Sequence, residues 1–224
     1  MEELDILPLK IFTFDLPEPL LEDTLNKVKF LQWSENHSNK TSEESLNTKE
    51  DFSELHIFIS ECLKQVKDKL NLPFEKIVLT QSWANKNKKG QNHHKHKHPN
   101  SLVSGVIFLT SHETGEIYFQ KENFWMDNLF LGDKLLSHQQ KPIAGKMLIF
   151  PSQLYHGVKP LNENEERYSI SFNSFPSGKI GFFSMGLELE TKQYISTSKG
   201  SLSDFNAHHL NKIMGFNDPS KFKI

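Results

Sequence analysis

Hydrophobic and polar positions keep one period in the first third of the chain and another after it. Over residues 19–33, Leu21, Leu25, Val28 and Leu31 recur every three or four positions, the stripe of an amphipathic helix. A second stripe, Phe52, Leu55, Phe58, Ile59, Cys62, Leu63, Val66 and Leu70, predicts a helix over about 50–70. Residues 7–14 alternate in part and stop at Asp15-Leu16-Pro17, which reads as a short edge strand. The stretch 34–48 is rich in Asn, Ser, Glu and Lys, has little to bury, and is expected to be a loop.

From Glu75 the helical period gives way to short β-like runs broken by turn residues: 77–85, 91–98, 102–110, 115–120, 129–136, 146–150, 155–158 and 167–175. Short antiparallel strands in that number and spacing are what a double-sheet jelly roll requires, the architecture that includes the cupins. The expected fold is mainly β, with the N-terminal helices packed on one sheet and the mouth between the sheets left for chemistry. One domain is expected over 1–224: strand and helices to 74, jelly-roll core 75–175, C-terminal extension 176–224. In that extension 179–183 and 187–190 read as added strands, 204–214 as a helix and 215–224 as irregular.

Composition narrows the function classes. A chain of 224 residues, 36% hydrophobic, can bury one good core. A net charge of -2 with pI near 6.6 gives no global attraction to nucleic acid or an acidic membrane. The lone cysteine, Cys62, lies on a helix stripe, excludes an internal disulfide framework and fits a reducing compartment. No apolar run approaches the roughly 18 residues of a membrane span, and Met1-Glu2-Glu3 lacks the basic end of a signal peptide. A soluble, cytoplasmic protein is expected.

The chemistry is concentrated in three pieces. In the first, Asn92-His93-His94-Lys95-His96-Lys97-His98-Pro99, strand alternation puts His94, His96 and His98 on one face and His93, Lys95 and Lys97 on the other. Imidazoles two apart offer two nitrogens to one ion. His156, just past the apolar run 147–150, is the candidate third ligand from a distant strand, although a structural histidine accounts for it equally well. Arg167 opens the last strand with Ser169, Ser171 and Asn173 on its face. An arginine directed into a barrel mouth needs an anion, and its planar fork suits a carboxylate. The competing reading is a surface arginine paired with Glu165 or Glu166. The Lys86-Asn87-Lys88-Lys89 turn, with Lys95 and Lys97, makes a basic patch read as a solvated rim. Phe124, Trp125 and Met126 mark 121–130 as a candidate lid or substrate wall.

These pieces, with Trp83-Ala84-Asn85, the run from His96-Lys97-His98-Pro99-Asn100-Ser101 through Leu109, Phe150-Pro151-Ser152-Gln153-Leu154-Tyr155-His156-Gly157-Val158 and Arg167-Tyr168-Ser169-Ile170-Ser171-Phe172-Asn173, resemble the Fe(II)/2-oxoglutarate-dependent oxygenase superfamily. More narrowly, they resemble an uncharacterised branch met in marine bacteria and their phages. The resemblance implies a double-stranded β-helix, Fe(II) held by His96 and His156 near the mouth, and 2-oxoglutarate chelating it while its far carboxylate meets Arg167. Ser169 can add a hydroxyl to that carboxylate, and Asn85 is the candidate to reach the co-substrate from the first barrel strand.

One departure stands out: the superfamily's proximal motif is His-x-Asp, and here His98 follows His96. His98 is then a third nitrogen ligand, or it stands behind a water in that position. A shifted register, with His94 and His96 as the pair, is the other arrangement. What the resemblance implies is a dioxygenase, a hydroxylase, with 2-oxoglutarate and dioxygen as co-substrates. The expected partners are a small molecule or peptide substrate and a second copy in a homodimer, with no membrane or nucleic acid. Two other classes fit the same residues. One is a three-histidine cupin enzyme that does not use 2-oxoglutarate, and the other is an inactive jelly-roll binding module.

Overall fold

A computed structural model describes residues 9–120, 137–180 and 186–191. The expected lid at 121–130, strand at 129–136 and C-terminal helix lie outside these residues. Helix α1 (Glu18–Lys29) begins with Pro19 in its first turn and carries Lys27 and Lys29 in its last, in keeping with the fixed proline φ and the helix dipole. It buries Leu21, Thr24 and Val28. It ends four residues short of the expected limit because Trp33 opens a strand. Two 3-10 turns, Leu46–Thr48 and Glu50–Phe52, lead into α2 (Ser53–Leu70), which stops where Asn71 turns left-handed at φ 48°.

The strands are β1 (Phe12–Asp15), β2 (Trp33–Asn36), β3 (Asn39–Ser42), β4 (Phe74–Asn87), β5 (His93–His96), β6 (Val103–Phe108), β7 (Ile117–Gln120), β8 (Ser137–Gln140), β9 (Lys146–Pro151), β10 (Tyr155–Val158), β11 (Arg167–Ile180) and β12 (Leu187–Leu189). One sheet has the order β1-β9-β6-β11-β4-β3-β2, with β12 also pairing β11, and the other the order β5-β10-β7-β8. From β4 to β11 the chain steps back and forth between the two, and every pairing is antiparallel. That is the double-stranded β-helix. β1 lies at the sheet edge, as its length and proline stop lead one to expect.

The expected loop at 34–48 is instead a hairpin. Its tip is His37 at φ 45°, and β3 pairs with β4 through Lys40↔Lys86 and Thr41↔Asn85. Apolar counting misses it because its stability comes from backbone pairing along the open edge of β4. Polar clasps reinforce the pairing: Ser45 donates to the Ser82 carbonyl, and Ser82 donates to Asn47.

Alternation splits the apolar residues into two cores. Ile107, Met147, Ile149, Tyr168, Ile170 and Phe172 face outward against α1 and α2, joined by Leu55, Ile59 and Leu63. Val106, Phe108, Ile117, Phe119, Leu148, Phe150 and Leu154 point the other way, between the sheets. No helix among the described residues is long and apolar enough to cross a membrane.

Candidate metal and co-substrate site

Strand pairing delivers the histidines to one place. His156 on β10 is the direct partner of His96 on β5 and of Phe119 on β7, so it sits in the middle of the small sheet. It is 4% exposed, with the Phe150 ring edge-on at 4.7 Å. His98 lies just past β5, where its amide donates to the Ser152 carbonyl at 3.0 Å and its ring stacks on Trp83 at 5.8 Å. The Nε2 atom of His98 is 3.2 Å from that of His96 and 3.0 Å from that of His156.

Two of these rings are held in a fixed tautomer. The Nδ1 of His96 lies 2.8 Å from the His94 carbonyl and the Nδ1 of His156 lies 2.9 Å from the Leu154 carbonyl. A carbonyl only accepts, so each Nδ1 carries the proton and each Nε2 presents a lone pair. Burial first, then mutual repulsion, lowers the pKa of His98 to about 4 and of His156 to about 3, and burial also lowers that of His96. Neutral imidazoles facing one another with lone pairs repel unless a cation lies between them. Nitrogens about 2.1 Å from one ion at right angles would be about 3.0 Å apart, close to the spacing of His98 from the other two. The group fits a metal, and imidazole suits iron, zinc or copper.

Serines hold the third ring. Ser101, Ser104 and Ser152 form a buried hydroxyl cluster, Ser104 donates to the Asn173 side-chain oxygen at 2.9 Å, and Asn173 in turn hydrogen-bonds the His98 ring. This places Ser104 in support of His98 through Asn173. Gly105 is explained by packing: a Cβ there would meet the Phe172 ring at 2.1 Å.

The same cavity is walled by Trp83, Asn85 and Asn87 of β4 and by Arg167, Ser169 and Ser171 of β11. These are successive cross-strand pairs, Ser171↔Trp83, Ser169↔Asn85 and Arg167↔Asn87. Asn85 donates to the Ser171 hydroxyl at 3.0 Å. Arg167 is 3% exposed, gives one nitrogen to the Gly115 carbonyl at 2.7 Å and a long 3.5 Å contact to Ser169, and leaves Nε unpartnered. Burial lowers its pKa to about 10, so it remains a cation at neutral pH. The surface-pair reading fails, because Glu166 lies near Lys88 and takes the Tyr168 hydroxyl. Among the described residues no carboxylate pairs with Arg167. A buried guanidinium without a counter-ion, on the wall of a metal-competent cavity, fits an anion such as 2-oxoglutarate.

Alternation mispredicts one wall. Between His93↔Val158 and His96↔His156 the small sheet carries a bulge, which puts His93 on the cavity side with His96, while His94 is exposed. His94 is therefore not among the histidines that converge, which are His96, His98 and His156. The chain also continues β4 through the expected turn, so Asn87 becomes a buried wall residue. The run Trp83, Asn85, Asn87, alternating with Ala84 and Lys86, was the signal for it.

Residues 81–173, which span this whole site, match the family model described as "Putative 2OG-Fe(II) oxygenase". Over this segment the chain is similar to the 2OG-Fe(II) oxygenases. Solved structures carry the same fold at low identity. HygX from Streptomyces hygroscopicus, with nickel, 2-oxoglutarate and hygromycin B bound, superposes at TM-score 0.60 and 13% identity, over 84% of this chain and 91% of its own. A Pseudomonas putida prolyl-4-hydroxylase gives 0.56 and 16%, over 75% and 94%. The α-ketoglutarate-dependent epimerase SnoN of nogalamycin biosynthesis gives 0.60 and 9%, over 85% and 90%. No curated protein matches the chain in sequence. Iron and 2-oxoglutarate are the cofactors of such oxygenases, and the walls of this cavity fit both.

Proposed function

We propose that the protein is an Fe(II)/2-oxoglutarate-dependent dioxygenase, a hydroxylase that converts 2-oxoglutarate, dioxygen and a C–H bond of its substrate into succinate, carbon dioxide and an alcohol. The observation carrying this reading is the convergence on a single cavity of three Nε2 atoms and one buried guanidinium that no carboxylate among the described residues pairs. His96, His98 and His156 would hold the iron, with His98 in the place of the usual carboxylate. Arg167 and Ser169 would take the far carboxylate of 2-oxoglutarate, with Asn85 beside it. When bound, the iron and 2-oxoglutarate supply the activation of dioxygen. The chain's own work is positional. The carbonyls of His94 and Leu154 keep each Nδ1 protonated, Trp83 and Asn173 orient His98, and Val106, Phe150 and Ile117 keep bulk water from the inner wall. The substrate is a small molecule or peptide.

The test is succinate formation from 2-oxoglutarate with Fe(II) and air, using pools of proline- and asparagine-containing peptides and free amino acids. In parallel, anaerobic Fe(II) with 2-oxoglutarate should give a visible charge-transfer band and a raised melting temperature. The third imidazole favours one other reading, a three-histidine metalloenzyme that does not use 2-oxoglutarate. Metal binding without either 2-oxoglutarate response would decide for it.

A further inference from the structure

Six buried side-chain polar atoms among the described residues have no hydrogen-bond partner, and four of them line this one cavity: Nδ2 and Oδ1 of Asn87, Nδ1 of His93 and Nε of Arg167. Buried polar groups are almost always paired in a folded protein. A cluster of unpaired ones therefore outlines a missing partner. Asn87 is 1% exposed and sits directly across the strand pair from Arg167. His93 sits opposite Val158, two residues and so about 6–7 Å along β10 from His156. Ile117 also pairs Val158, and two residues before it the Gly115 carbonyl holds the guanidinium.

We propose that Asn87 and His93 bind the co-substrate, closing with Arg167 a cradle around the far carboxylate of 2-oxoglutarate. The proposal rests on the reading of Arg167 as the residue that takes this carboxylate. A carboxylate offers four lone-pair sites and no donor. The Asn87 amide nitrogen, a protonated His93 Nδ1 and the guanidinium are donors that can share those sites. With the carboxylate bound, Asn87 Oδ1 would take the Arg167 Nε–H, likewise unpartnered, across the strand pair. Only Arg167 in this group is charged, so the cradle balances one carboxylate charge and leaves no excess.

Calorimetric titration of the Mn(II)-loaded protein with 2-oxoglutarate, alongside Mn(II) affinity and the melting temperature of the metal-free protein, tests this. Asn87→Leu should weaken 2-oxoglutarate at least about tenfold, leave Mn(II) affinity unchanged, and keep or raise the melting temperature, since it removes an unpaired buried amide. Asn87→Asp, nearly isosteric, should supply Arg167 with an internal counter-ion, raise the melting temperature and abolish 2-oxoglutarate binding. His93→Phe should weaken 2-oxoglutarate a few-fold with Mn(II) retained. The inference is overturned if Asn87→Leu binds as wild type, or if its melting temperature, Mn(II) affinity and 2-oxoglutarate affinity fall together as for a structural residue. If Arg167→Ala loses 2-oxoglutarate while Asn87→Leu and His93→Phe do not, this inference alone fails. A wild type that binds Mn(II) and not 2-oxoglutarate removes both the inference and the reading beneath it.

Discussion

The two faces of β11 are built on opposite rules although they share one backbone. Tyr168, Ile170 and Phe172 point outward into the helix-covered core, while Arg167, Ser169 and Ser171 point inward to the cavity. On the outer face apolar surface is removed from water and packed, which stabilises the fold at about 25 cal/mol per Å². On the inner face a guanidinium Nε, an amide and an imidazole nitrogen are buried without partners among the described residues, which costs stability. The difference teaches where a ligand is awaited: among the described residues four of the six unpartnered buried polar atoms line the cavity, and the other two are Asn47 Nδ2 and His56 Nδ1.

If that division is right, the largest loss of stability comes from the outer face. Phe172→Ala should destabilise the protein by about 3–5 kcal/mol, read by urea unfolding, with the metal and 2-oxoglutarate affinities of the remaining folded protein little changed. Equal loss of both would merge the two faces into one unit. A polar member of the outer face gives the next effect. His56 is wholly buried in α2 against the Ser82 hydroxyl at 3.0 Å, and burial lowers its pKa from 6.5 to about 4. Below pH 6.5 the unfolded chain takes up this proton before the folded one does. Stability present above pH 6.5 is therefore lost as the pH falls toward 4, by about 3 kcal/mol in all. The depressed cavity histidines act in the same direction, so the measurement is the difference in pH slope between wild type and His56→Gln. An unchanged slope would refute the assignment.

The outer face was legible because it is periodic. Both helix stripes and the alternation of β6, β9 and β11 follow from residue type alone, and the His96, His98, His156 and Arg167 constellation followed from spacing joined to family likeness. What escaped was set by backbone pairing. The polar hairpin 33–42 is selected by the open edge of β4. His93 is turned to the cavity by a bulge that no residue type announces. Asn87 looked like part of a lysine-rich turn, because charged neighbours at 86, 88 and 89 masked a strand that runs on to it.

The next prediction sets the inner face directly against the outer. Arg167→Met keeps the length of the side chain and removes the unpaired buried cation. It should leave stability unchanged or raise it by about 1–3 kcal/mol, while 2-oxoglutarate binding to the Mn(II) form falls by about a hundredfold and Mn(II) affinity stays. A fall in stability like that of Phe172→Ala would mean that Arg167 is part of the framework.

Ser169→Ala is the smallest and the sharpest of these changes. Its hydroxyl lies at 3.5 Å from the guanidinium, the outer limit of a hydrogen bond, so little of the fold depends on it. Truncation should move stability by less than about 1 kcal/mol, because among the described residues the buried hydroxyl has only that weak partner to lose. If Ser169 turns to the far carboxylate when 2-oxoglutarate is bound, the same change should weaken 2-oxoglutarate by about three- to tenfold in the titration of the Mn(II) form. An affinity equal to wild type would confine recognition of that carboxylate to Arg167 and its neighbours across the strand pair, and would make Ser169 a residue of the cavity wall with no share in binding.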